Sequence, residues 1–173
     1  MGGDFMIIKN LHDTEYGPEG TMHWELFDED ITVSLDEGVD IAYAEKCAEA
    51  LNDLPEETIK TIWEAAKRYC LFFIDLCGDD WDEYNEMTIK VTKRTPAEKI
   101  KSQIYPSCLI VNEPRGGGIG FHLECNCSWE VEHGLEITVL DNKLVYLGAF
   151  EGQDAWGKFD PDNEWNFVNG VKE

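Results

Sequence analysis

The sequence predicts an α+β fold, a mostly antiparallel sheet with helices packed on one face. Three observations carry this. Apolar and polar residues alternate with a period of two over residues 22–35 and again over 119–150, as half-buried strands require. Between them, about residues 40–104, apolar residues recur with the 3.6-residue period of amphipathic helices. Aromatics make up 12% of 173 residues, enough large apolar surface for one core, so the chain is read as a single domain over 1–173.

The first predicted element is a hairpin. Met22, Trp24 and Leu26 alternate with His23 and Glu25; Asp28-Glu29-Asp30 turns the chain; Ile31, Val33 and Leu35 alternate on the return. Asp40 suits the cap of a helix running to about Asn52, with Ile41, Ala44, Ala48 and Leu51 on one face. A longer helix starts with Pro55 in its first turn and carries the stripe Ile59, Ile62, Trp63, Ala66, Cys70, Phe73, Cys77. Gly78 is placed to close it. A polar connection, Asp79 to Tyr84, leads to a predicted strand over Glu86–Lys93, where Met87, Ile89 and Val91 alternate with polar residues. Thr95-Pro-Ala-Glu98 has the spacing of a capping box for a short helix ending near Ile104.

A β-meander is predicted for about 108–150. Its strands are Cys108–Val111, a long strand from Ile119 to Val131, one through Leu135, Ile137 and Val139, and a return from Leu144 after a turn at Asp141-Asn142. In the long strand Phe121, Leu123, Cys125, Cys127 and Trp129 face the core, while His122, Glu124, Asn126 and Glu130 face away. The tail places Trp156, Phe159, Trp165 and Phe167 among acids and glycines, to dock either on the core or at an interface.

Thirty-six acids against fourteen Lys and Arg give a formal net charge of -22. Solubility asks for a magnitude of only about 2–8 in a small domain. Such a field repels nucleic acid and anionic membranes and speeds encounters with basic partners. The excess is uneven: residues 1–40 hold eleven acids and one base, whereas 91–120 hold two acids and five bases. The longest apolar run, Cys70–Ile74, is too short to span a bilayer, and the N-terminal residues lack the pattern of a secretory signal. A cytoplasmic location, with six free thiols rather than disulfides, is the expectation.

No catalytic residue, cofactor or metal site is predicted. His122, Cys125, Cys127 and His133 include zinc-ligand types within twelve positions, but strand alternation puts His122 opposite the two cysteines. Arg115-Gly-Gly-Gly118 leads into a strand rather than the helix a phosphate cradle needs. Asp160-Pro-Asp-Asn-Glu164 has Trp165 where a calcium loop needs glycine. Glu132-His133-Gly134-Leu135 lies between strands and is read chiefly as a bend, with a Glu132–His133 acid–base pair as the functional option.

Around this segment the chain resembles an uncharacterised family of small bacterial domains. The matching residues are Cys127-Ser-Trp129-Glu-Val-Glu-His-Gly-Leu135 and Asp141-Asn-Lys-Leu-Val-Tyr-Leu-Gly148, so the resemblance covers about 119–150. It implies no activity; by analogy, small acidic bacterial proteins of this build are often immunity proteins. The expected function is therefore stoichiometric neutralisation of a basic toxin domain, for instance a nuclease with a cationic cleft. The expected contacts are Asp28, Glu29 and Asp30, and Asp79, Asp80, Trp81, Asp82, Glu83 and Tyr84. The alternatives are a small metalloprotein or hydrolase-like enzyme centred on His133, and an acidic regulator that uses a sheet edge.

Overall fold

A computed structural model describes residues 6–160 and 162–169, with the side chain of residue 84 outside the described set. Seven strands form one sheet in chain order: β1 (Lys9–Thr14), β2 (Gly17–Trp24), β3 (Glu29–Leu35), β4 (Ile104–Val111), β5 (Gly120–Cys127), β6 (Leu135–Leu140) and β7 (Lys143–Gly148). All neighbours pair antiparallel except β3 and β4. Parallel neighbours need a long crossover, and here it contains α1 (Ile41–Asn52), α2 (Glu56–Cys77) and the single turn α3 (Trp81–Tyr84). The fold is α+β.

The register explains the core. One transverse row, Gly20–Val33–Leu109–Leu123–Ile137–Leu147, crosses six strands on the same face. Its side chains join Ala44, Ala48, Leu51, Ile62, Ala66 and Cys70 of the helices in the buried cluster. Asp40 caps α1 by accepting the Ala42 N–H. Ile41 stays largely exposed, and Cys47 takes the core position instead. Gly78 closes α2 at a φ of 56°.

The opposite face is buried only over β5–β7. In the row Ser34–Ile110–His122–Thr138–Tyr146 the last three residues are fully buried. The chain after β7 crosses this face: Phe150 stacks on the His122 ring, Phe159 stacks on Tyr146, and Gly152 donates its N–H to Glu136. Gly120 lets this segment approach, since a Cβ there would stand 2.6 Å from that of Ala155. Beneath it Glu136, fully buried, holds His122 Nδ1 at 3.0 Å. His122 is therefore not solvent-facing, and the expectation of one buried face fails where the tail covers the second.

Other expectations are corrected by where the backbone hydrogen bonds go. β1 has no apolar alternation, which is why it escapes sequence reading; it is an exposed edge strand with an irregularity between Lys9 and His12. Residues 86–93 form no strand: the Glu86 N–H goes to the Ser128 carbonyl and the Thr88 N–H to the Gln103 side chain. The capping box does not form, because Thr95 Oγ1 accepts the Thr92 N–H and the turn over Ala97–Gln103 is 3-10. β4 starts at Ile104, four residues before its predicted start, and absorbs Pro106 at a register shift. β5 stops at Cys127, because Ser128 bonds the Gln103 carbonyl. All six cysteines are free thiols. Among the described residues no helix is long and apolar enough to cross a membrane.

Candidate functional site

The link between β5 and β6 is organised by one carboxylate. Trp129 is buried, and Glu130 follows it into the interior with 4% of its surface exposed. Its Oε1 accepts the Glu132 N–H, and its Oε2 accepts the His133 N–H and meets His133 Nδ1, all at 2.9 Å. Gly134 then reverses the chain at a φ of 65°, where a Cβ would stand 2.5 Å from the Cys125 carbonyl oxygen. Tyr69 of α2 donates its hydroxyl to the Gly134 carbonyl, and Phe150 donates its N–H to that of His133. The pair that forms is thus Glu130–His133, not the Glu132–His133 pair anticipated from adjacency.

This turn borders a pocket of about 430 Å³. Tyr69, Phe73, Val131, Ala149 and Trp165 give it an apolar lining, and Glu132 and His133 bring polar groups to it. Val131 and Trp165 are partly exposed, 48% and 37%. Cys77 also lines the pocket, but burial first, then Asp80 and Glu130, push its thiol up. That is the reverse of nucleophile activation. Burial likewise pushes the Cys47, Cys70 and Cys108 thiols up to about 12, and raises Cys125 and Cys127 further.

The zinc-type residues are not assembled. Cys125 and Cys127 are buried on the helix-covered face, His122 lies on the other, and His133 sits in the turn. Among the described residues no group of three or more His, Cys, Asp or Glu side chains is placed to hold a metal.

The two acidic segments occupy opposite ends of α2. Asp28, Glu29 and Asp30 lie at the β2–β3 turn, where Phe27 touches Trp63. Asp79 to Tyr84 come after Cys77, which lines the pocket, with one residue between. The fourteen residues from Trp63 to Cys77 put them about 21 Å apart along the helix. Their environments differ as well. Asp30 and Asp28 hold His23 at 2.8 and 3.0 Å, and Glu29 shares a groove with Lys99 and Lys101. The hydrogen bond to Asp30 is the largest cause raising His23 above its ordinary value, opposed by partial desolvation and reinforced by Asp28. At the other end Asp79, Asp80, Asp82 and Glu83 are exposed, and Trp81 rests edge-on against Phe73. Residues 69–89 carry six acids and no Lys or Arg, and Lys90 shares a groove with Trp81 and Asp82. The Tyr84 side chain lies outside the described residues.

Between described residues the one Lys or Arg salt bridge to a carboxylate is Arg115–Asp154, at 2.7 Å; the other ion pairs involve histidine. The acidic excess is therefore barely compensated within the fold. Sequence reasoning missed Glu130, which strand alternation places among outward-facing residues. The signal that finds it is a carboxylate three residues before His133, followed by a glycine able to turn the chain.

No curated protein and no solved structure matches the chain. A family model, described as a domain of unknown function, DUF6985, matches residues 7–154. The match takes in the β1–β3 segment and the helices as well as the region of about 119–150 over which the resemblance is seen. The chain belongs to the DUF6985 family.

Proposed function

We propose that this protein is a cytoplasmic, immunity-type binding protein that neutralises a basic toxin domain by one-to-one association. The observation that carries the reading is the uncompensated acidic surface. With a net charge of -22, a single Lys/Arg–carboxylate bridge joins described residues. Exposed carboxylates left unpaired repel one another, and a cationic partner removes that repulsion while gaining steered association. A nuclease domain suits this chemistry, because its phosphate-binding cleft is cationic. Of the two acidic segments, the turn at Asp79–Glu83 is the better contact. It adjoins an apolar pocket and shares its own groove with one lysine, Lys90, whereas the Asp28–Asp30 segment is engaged with His23 and shares a groove with Lys99 and Lys101.

The test is capture of partners by the tagged full chain from lysate of its source cells, washed at low and then high salt. A basic protein retained near one to one and released by salt supports the reading. Retention of no basic protein, with toxin-producing cells included, overturns it. A second reading, a hydrolase-like enzyme centred on His133, is favoured by one observation, the Glu130–His133 pair on the pocket. Turnover of a hydrolase substrate abolished by His133→Ala would establish it.

A further inference from the structure

We propose that the pocket beside the Glu130–His133 turn is an arginine socket, the anchor point for one guanidinium side chain of the basic partner. This rests on the binding reading above and specifies its contact.

The volume, about 430 Å³, falls within the roughly 300–1,000 Å³ typical of pre-formed ligand sites. Its walls are aromatic and aliphatic, with Phe73 half-buried and Trp165 37% exposed. A guanidinium stacks on such rings, while its three-carbon stem covers apolar surface such as Val131.

The polar groups facing the pocket select for a cation. Glu132 brings an exposed carboxylate that makes no side-chain hydrogen bond or salt bridge to a described residue. Glu130, nearly fully buried, adds a second carboxylate to the lining and holds the His133 ring in place through Nδ1 at 2.9 Å. The C-terminus of α2, at Cys77, ends beside the pocket with no basic residue in its last turn, so its partial negative charge is not offset locally. Asp79, Asp80, Asp82 and Glu83 continue the same sign just beyond it. An apolar side chain would fill the walls and leave these acceptors unused. A carboxylate or phosphate would be repelled by all of them.

The experiment uses the isolated full chain, labelled for NMR, at an ionic strength of about 0.15 M, where exposed charges more than a Debye length apart are screened. N-acetyl-arginine amide is titrated against N-acetyl-citrulline amide, its uncharged near-isostere. The expected result is saturable shifts at the Val131, Glu132 and His133 amides and the Trp165 indole, with arginine bound at least about tenfold tighter than citrulline. Val131→Arg, at a half-exposed position on the pocket wall, is expected to fill the socket and abolish these shifts. Equal affinity for citrulline, or arginine shifts spread without saturation over Asp28, Asp30 and the other acids, overturns the proposal. The two readings separate cleanly. If the captured partner binds Val131→Arg as tightly as wild type, the socket falls while the binding function stands. If arginine binds as predicted but no basic protein is captured, the function falls while the socket stands.

Discussion

Replacing Glu130 by alanine tests whether one carboxylate builds the β5–β6 turn. Three bonds are lost, from the Glu132 N–H, the His133 N–H and His133 Nδ1. A hydrogen bond to a charged group contributes about 1.5–3 kcal/mol, and a neutral one about 1. The amides of Glu132 and His133 belong to exposed residues, so water replaces part of what is lost. Three such bonds would sum to at least about 4.5 kcal/mol, and replacement by water brings the expected net loss down to about 2–4 kcal/mol. In a domain of this size that corresponds to a fall in Tm of roughly 5–12 °C. Glu130→Gln keeps one acceptor for a backbone N–H and is expected to cost about half as much. Urea unfolding monitored by tryptophan fluorescence measures both, with an unchanged slope showing that the folded and unfolded states are otherwise the same. A cost below about 0.5 kcal/mol for alanine, within the range of ordinary surface substitutions, would refute the reasoning.

Four further outcomes are expected. Glu136→Ala, which strips the partner from buried His122 and from the Gly152 N–H, should destabilise by about 3–5 kcal/mol. His122→Phe combined with Glu136→Leu should cost less than Glu136→Ala alone; a strictly additive double-mutant cycle in urea unfolding would contradict this. In the native protein a disulfide reagent at neutral pH should label Cys77 first, since the other thiols are buried or pushed up to about 12 or beyond; rapid labelling of Cys47 or Cys125 would count against the packing. His23 should titrate above its ordinary value by NMR and move back toward it in Asp30→Asn. Its contribution to stability is present in full below the unfolded value, near 6.5, and disappears as pH rises through the raised folded value. Identical titration in wild type and Asp30→Asn would remove the assigned cause.

Elements with one buried face and strong periodicity were legible in the sequence: the β2–β3 hairpin, α1, α2, and the strands around Phe121, Ile137 and Leu144. The Asp141-Asn142 turn was legible too, both residues standing at positive φ as a tight hairpin requires. What was not legible depended on distant partners. Residues 86–93 alternate because one side packs inward, yet their N–H groups bond a loop carbonyl and a glutamine side chain instead of a neighbouring strand. β1 owes its place to pairing with β2 alone and carries no apolar stripe. His122 and Glu136 look like solvent-facing polar residues until the chain after β7 folds over them. The acidic segments were visible as sequence, but only α2 shows that they lie at opposite ends. The pocket between the C-terminal end of α2 and the β5–β6 turn joins residues as far apart as Tyr69 and Trp165, which no local pattern links.

The most direct test of the account is the salt dependence of partner binding in a charge-reversed turn. Asp79, Asp80 and Asp82 are changed to lysine in one variant, and Asp28 and Glu29 in another. Each is titrated against the captured basic partner over a salt series. The account predicts that the turn variant binds at least about tenfold more weakly with a flattened salt slope, while the hairpin variant loses less than about threefold. Unchanged affinity and slope in the turn variant would contradict it.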